Sequence, residues 1–106
     1  MTVVTIYNHT RARFLSGANA VGDSYKINLY SALPENATAT TKAAAESGAT
    51  QIATANGYTQ NSQIISAMAV TVDAANGKLD GDDVIWTASG GSIAAAFAMI
   101  YNDTDT

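Results

Sequence analysis

The side chains able to do chemistry are few, and most stand apart from one another. Asp73, Asp80, Asp82 and Asp83 gather around one late turn and, as hard oxygen ligands, would suit calcium. The EF-hand spacing is absent, because no D-x-[DN]-x-[DN]-G run with a later Glu occurs. Acidic residues beside Asn76 and Gly81 are equally ordinary in loops, so no metal ligand is assigned. Paired carboxylates are the minimum for hydrolysing a glycoside, but no aromatic-lined cleft is suggested around these aspartates. His9 is the single histidine, and no Ser/Asp partner arrangement is recognisable around it. Glycines at 17, 22, 48, 57, 77, 81, 90 and 91 form neither a G-x-G-x-x-G nor a P-loop pattern and read as turn residues. The chain has no cysteine, which removes disulfides and thiolate metal sites. No catalytic residue and no cofactor is therefore assigned. Trp86 could stack on a base or a sugar, but it shares a strand face with Val84 and reads as core. Tyr7, Tyr25, Tyr30, Tyr58 and Tyr101 read as core-edge residues with hydroxyls reaching water. Asn8-His9-Thr10, Asn36-Ala37-Thr38 and Asn102-Asp103-Thr104 match the glycosylation acceptor pattern, a simple coincidence in a Thr-rich chain.

The elements that would position such groups are mostly strands. Val84 to Ala88 and Ile93 to Asn102 read as a strand pair joined by Ser89-Gly90-Gly91-Ser92. On the second of these, Ile93, Ala95, Phe97, Met99 and Tyr101 share one parity and are the expected core face. Ala94, Ala96, Ala98 and Ile100 lie opposite. A strand apolar on both faces is usually covered on both, and these four residues are the expected subunit interface. Earlier strands are expected at Thr2 to Asn8, Tyr25 to Tyr30, Thr50 to Ala55 and Ile64 to Val72. The stretch from His9 to Leu15 has no clear period and ends at Ser16-Gly17. Pro34 ends the second strand, because it cannot donate to a ladder. Thr40 to Ser47 is the one helix candidate, with Thr40 or Thr41 as cap and Gly48 as stop. Asn56-Gly57 and Asn76-Gly77 are turn dipeptides. The pattern predicts an all-β fold over a single domain, 1–106. The expected architecture is an antiparallel β-sandwich, jelly-roll-like or Ig-like, with one short helix near residues 40–47.

Bulk composition narrows the functions. Charged residues are 13% of the chain, against about 25% in ordinary domains. The net charge is −4, and after residue 53 only Lys78 offsets six acidic side chains. That balance argues against nucleic acid as a partner, since such binding wants a basic patch. No apolar segment approaches the roughly 20 residues needed to span a bilayer, so no membrane is expected. The N-terminal run lacks the basic start and apolar core of a signal peptide, and with no cysteine it suggests folding in the cytoplasm. A small core without disulfides often draws stability from self-association.

Several blocks resemble a family of small tailed-bacteriophage virion structural proteins. They are Tyr7-Asn8-His9-Thr10 with Arg13-Phe14, then Tyr25 to Tyr30, Ala37 to Ala44 and Ala55 to Thr59. The most specific are Asp82 to Ile93 and Ile100 to Thr104. Members of that family continue past the position of Asp105 with Gly-rich, strand-like sequence, whereas this sequence ends at Thr106. If it is complete, the Ile93–Asn102 strand has less cover than in those proteins. The resemblance implies no enzyme activity. It implies a virion structural protein; small size, no cysteine, low charge and a two-sided apolar strand then suit a capsid decoration (cement) protein, assembled into virions in the host cytoplasm and bound to the outer head surface, and suit other virion parts equally. Its partners would be itself, with a homotrimer favoured, and the major capsid protein. Arg11 and Arg13 would lie on a shell-contacting arm. A tail, neck or fibre-associated component is the alternative. A carbohydrate-binding module for host attachment is a further one, and it would need exposed aromatic residues.

Overall fold

The computed structural model describes residues 6–17, 22–73 and 76–104, and their side chains except at 70, 71, 73 and 76–79. The elements in order are helix α1 (Asn8–Ser16), strand β1 (Tyr25–Ala32), helix α2 (Lys42–Ala45), β2 (Thr50–Gln51), β3 (Ile64–Ile65), β4 (Ala69–Asp73), β5 (Asn76–Asp80) and β6 (Phe97–Asn102). The fold is mostly β, with few helices. It is built on an open antiparallel sheet of four strands, β1, β2, β3 and β6.

Strand β1 is central. Along one edge it pairs with all of β6, from Tyr25↔Asn102 to Tyr30↔Phe97. The other edge is shared: β3 takes one end at Tyr25↔Ile65, and β2 takes the other at Tyr30↔Gln51. β4 and β5 form a separate hairpin with Asp73 opposite Asn76. Among the described residues this is one sheet and one hairpin, without the second packed sheet that defines a sandwich.

Directly opposed residues share a face. Lys26/Tyr101, Asn28/Met99 and Tyr30/Phe97 therefore stand on one side, and Ile27/Ile100 and Leu29/Ala98 on the other. The core lies on the first side. Tyr30, Ala45 and Met99 form it, with Tyr7, Leu33, Ala39, Ala49 and Tyr101 packed around them. Helix α2 covers this side. Thr41 caps it, its hydroxyl accepting from the Ala44 amide at 3.1 Å, as the Thr-rich approach predicts. At its far end the Asn36 side-chain amide donates to the carbonyls of Ala45 (3.1 Å) and Ser47 (3.2 Å), which the helix itself leaves open.

The strand expected at Thr50 to Ala55 shortens to Thr50–Gln51, and Ala95 and Phe97 of the expected core face are exposed. The structure differs from the sequence reading in five further places. First, the described residues hold two helices. Residues 8–16 are α-helical although they carry no apolar stripe, and the strand expected at Thr2 to Asn8 lies mostly outside the described residues. Tertiary contacts hold this helix: Phe14 stacks on Tyr25 at 6.5 Å, the Asn8 amide donates to the Ala37 carbonyl at 3.0 Å, and Gly17 closes the end at φ 80°. Second, Val84 to Ala88 is not a strand. It packs on the Asn56–Gly57 turn, where the Ser89 amide donates to the Asn56 carbonyl at 2.9 Å. Third, β6 begins at Phe97 rather than at Ile93. Fourth, the run from Ile64 to Val72 is broken at Ala67, which sits at φ 55° and turns the chain out of the sheet. Fifth, Asn76 and Gly77 belong to β5, so the β4–β5 connection falls at 74–75, outside the described residues.

Candidate functional site

No cluster of reactive side chains forms among the described residues. Among the described residues, no group of three His, Cys, Asp or Glu side chains converges as a metal site would require. The Asp80 carboxylate accepts from the Gly81 amide at 3.0 Å, while Asp82 and Asp83 are exposed. The Asp73 side chain lies outside the described set. His9 is half-buried on α1. The aromatic groups are committed to packing. Tyr25, Tyr30 and Tyr58 are buried, and half-buried Trp86 rests against Tyr58 at 6.2 Å with its ring tilted by 50°. Burying these rings counts against a sugar-binding groove.

The hydroxyls of Tyr7, Tyr30 and Tyr58 reach protein groups. Tyr30 donates to the Glu46 carboxylate at 2.6 Å, and Lys42, one helical turn earlier, donates to the same carboxylate at 2.9 Å. The Lys42 ammonium also stands 4.8 Å from the centre of the Tyr101 ring. Burial pushes the Tyr30 hydroxyl above its ordinary pKa of 10.0, and its hydrogen bond to Glu46 adds to the rise. Burial also raises Tyr7, Tyr25 and Tyr101, and the charge of Asp23 adds at Tyr25. Tyr58 accepts from the Leu29 amide at 3.0 Å and from Gln51 at 2.9 Å. Asn28 is fully buried and exchanges two hydrogen bonds with Asn61, at 2.6 and 3.2 Å. These groups hold the fold. Apart from the tyrosines, the sequence reading singled out none of them. The one visible signal was the i,i+4 spacing of Lys42 and Glu46.

The interface residues expected from the sequence lie at one margin of the sheet. Ala94 and Ala96 are exposed on the irregular run leading into β6, with Ala96 at a bend, and Ala98 and Ile100 are exposed on β6 itself. Ile100 is 57% exposed and Phe97 is 47% exposed, both large apolar side chains. Ser31 of β1 joins residues 93–96 around an open groove at the end of the strand pair. The Asp103 amide donates to the Ser24 carbonyl at 2.7 Å, continuing the β1–β6 register. In that alternation the odd-numbered amides of β6 point to β1, and the amides of Ala98 and Ile100 point away from it. At Ala96 the alternation breaks, because its amide donates to the Tyr30 carbonyl at 3.0 Å. No described strand pairs with the outer edge of β6.

Arg11 and Arg13 stand on α1, exposed and half-buried respectively. They belong to a docked helix rather than to an extended arm. The structure gives them no shared site with the alanine run. No described helix is long and apolar enough to cross a membrane. No protein-family model, curated protein or solved structure matches this chain.

Proposed function

We propose that the chain is a non-enzymatic structural protein of a tailed-phage virion, a capsid decoration protein that binds the outer head surface and braces the shell. The observation that carries this reading is the amount of apolar surface left open around a sparse core. The chain exposes 6766 Å². A compact monomer of its mass would expose roughly 5,600 Å². Its radius of gyration is 14.5 Å, against about 13 Å for a compact chain of this length. Five large apolar side chains, Leu15, Val72, Ile85, Ile64 and Ile100, are more than half exposed. A protein built to assemble would bury such surface in its particle, and the resemblance to small virion structural proteins names the particle.

In this reading the sheet side carrying Ala98 and Ile100 meets neighbouring protein. That contact would supply the second layer of the expected β-sandwich. Arg11 and Arg13 would contact the major capsid protein. Each copy would bind weakly, and several joined copies would bind firmly through avidity. Quantitative mass spectrometry of purified virions tests the reading by counting copies per major capsid protein. A near-stoichiometric ratio is expected. A dozen copies or fewer per particle would move the protein to the neck or tail, and absence would overturn the proposal.

A further inference from the structure

We infer that the outer edge of β6 is a strand-pairing site for a second copy of this chain, and that two copies join there antiparallel across a two-fold axis. The inference deepens the proposed assembly role and rests on it for its biological setting.

Three observations carry it. The first is the unfilled ladder. β6 bonds to β1 through its odd-numbered amides, leaving the amides of Ala98 and Ile100 aimed outward with no described strand to receive them. Folded monomers blunt such an edge with charge, proline, a bulge or a covering element. From Ile93 to Asn102 the chain has no charge, no proline and no glycine. The bend at Ala96, where the alternation breaks, stands ahead of the strand. β1 is the only element in extensive contact with β6 among the described residues.

The second observation is surface. Ile100 is 57% and Phe97 47% exposed on this strand, and Ala98 beside them is exposed, so a second copy seated here would cover apolar side chains. The third is self-complementarity. With the axis at Ala98, antiparallel pairing sets Ala98 against Ala98 and Phe97 against Met99, and each Ala98 amide finds the Ala98 carbonyl of the other copy. The chain's net charge of −4 opposes self-association in general, so a charge-free strand is where two copies can approach. A two-fold pair joins two four-stranded sheets into one of eight and makes the dimer, not the trimer, the unit of assembly.

Sedimentation and amide hydrogen exchange test this on the full chain. The expected result is a dimer whose Ala98 and Ile100 amides exchange more slowly as concentration rises. Ala98→Pro removes an amide that points away from β1, a position where a folded strand tolerates proline. It is expected to keep the native circular dichroism and sediment as a monomer. If the chain is monomeric at millimolar concentration, the pairing is refuted, while copy number in virions still decides the decoration role. If a dimer or trimer forms with both amides exchanging freely, the edge is refuted and self-association survives. The exchange measurement needs no variant, so the inference stands or falls even if Ala98→Pro does not fold.

Discussion

Replacing Tyr58 by Phe removes one oxygen and keeps the ring on which Trp86 rests. Tyr58 is 1% exposed, and its hydroxyl accepts two hydrogen bonds, from the Leu29 amide on the central strand and from Gln51 on β2. The two donors would not suffer equally. Gln51 is half-buried and its side chain can turn toward water. The Leu29 amide is fixed by its strand and would face a hydrocarbon edge. Orphaning a buried donor costs roughly 1–3 kcal/mol, and losing an ordinary hydrogen bond costs about 1. The expected loss of stability is thus about 2–3 kcal/mol. At about 4–8 °C per kcal/mol for a domain near this size, the melting temperature should fall by about 8–24 °C. Urea unfolding followed by fluorescence reads this directly, because Trp86 is the only tryptophan and sits against the altered ring. A loss below about 0.5 kcal/mol would refute the reasoning, for it would mean that Tyr58 does not hold the Leu29 amide.

Two further outcomes follow from the same architecture. Gly57→Ala places a methyl group 2.2 Å from the Thr87 carbonyl oxygen at a residue with φ 96°, so it should destabilise the fold and free residues 84–89 from the turn. Limited proteolysis in that segment would show faster cleavage, and unchanged cleavage would count against the contact. Alkaline pH should also unfold the chain. Tyr7, Tyr25, Tyr30 and Tyr101 have hydroxyls raised above 10.0, so the folded state keeps protons that the unfolded chain releases. Their contribution to stability is complete below pH 10 and declines as pH rises past it. Urea midpoints taken from pH 8 to 11 should fall only at the upper end, and a flat profile would be inconsistent with buried, proton-bearing tyrosines.

The elements legible in the sequence are those whose conformation is decided locally. Asn56 and Gly57 stand at φ 57° and 96°, the pair of positive angles that such a turn demands, and the dipeptide announces them. Thr41 announces α2 because the cap and the helix it starts are adjacent in sequence. Residues 8–16 carry no comparable signal. Their helix depends on Phe14 meeting Tyr25 and on Asn8 meeting Ala37, and neither contact has a period to read. Val84 to Ala88 failed in the opposite way, since its β-forming residues found a turn to pack on and no strand beside them. On β1 the alternation was visible, but residue type concealed which side was core. Asn28 is fully buried because Asn61 satisfies it from 33 residues away, a partner no local pattern predicts. From Phe97 to Asn102 the strand was legible and its lack of charge plain, whereas the expected start at Ile93 was not met. That β6 would have an outer edge with no described strand on it was not legible, because strand order is a property of the whole chain.

The central pairing also has a kinetic consequence. β1 is synthesised early, yet the strand that fills one of its edges, β6, comes after residues 33–96 have been made. Closing a loop of that length costs about 4 kcal/mol in chain entropy before any contact repays it. Long-range β pairing of this kind folds slowly. At about 5–20 residues per second, the ribosome exposes β1 for several seconds before β6 exists. During that interval one edge of the central strand has no partner in its own chain, while neighbouring nascent chains offer the same sequence. Synthesis rate and chaperone supply therefore bear on the yield of this protein as directly as its equilibrium stability does.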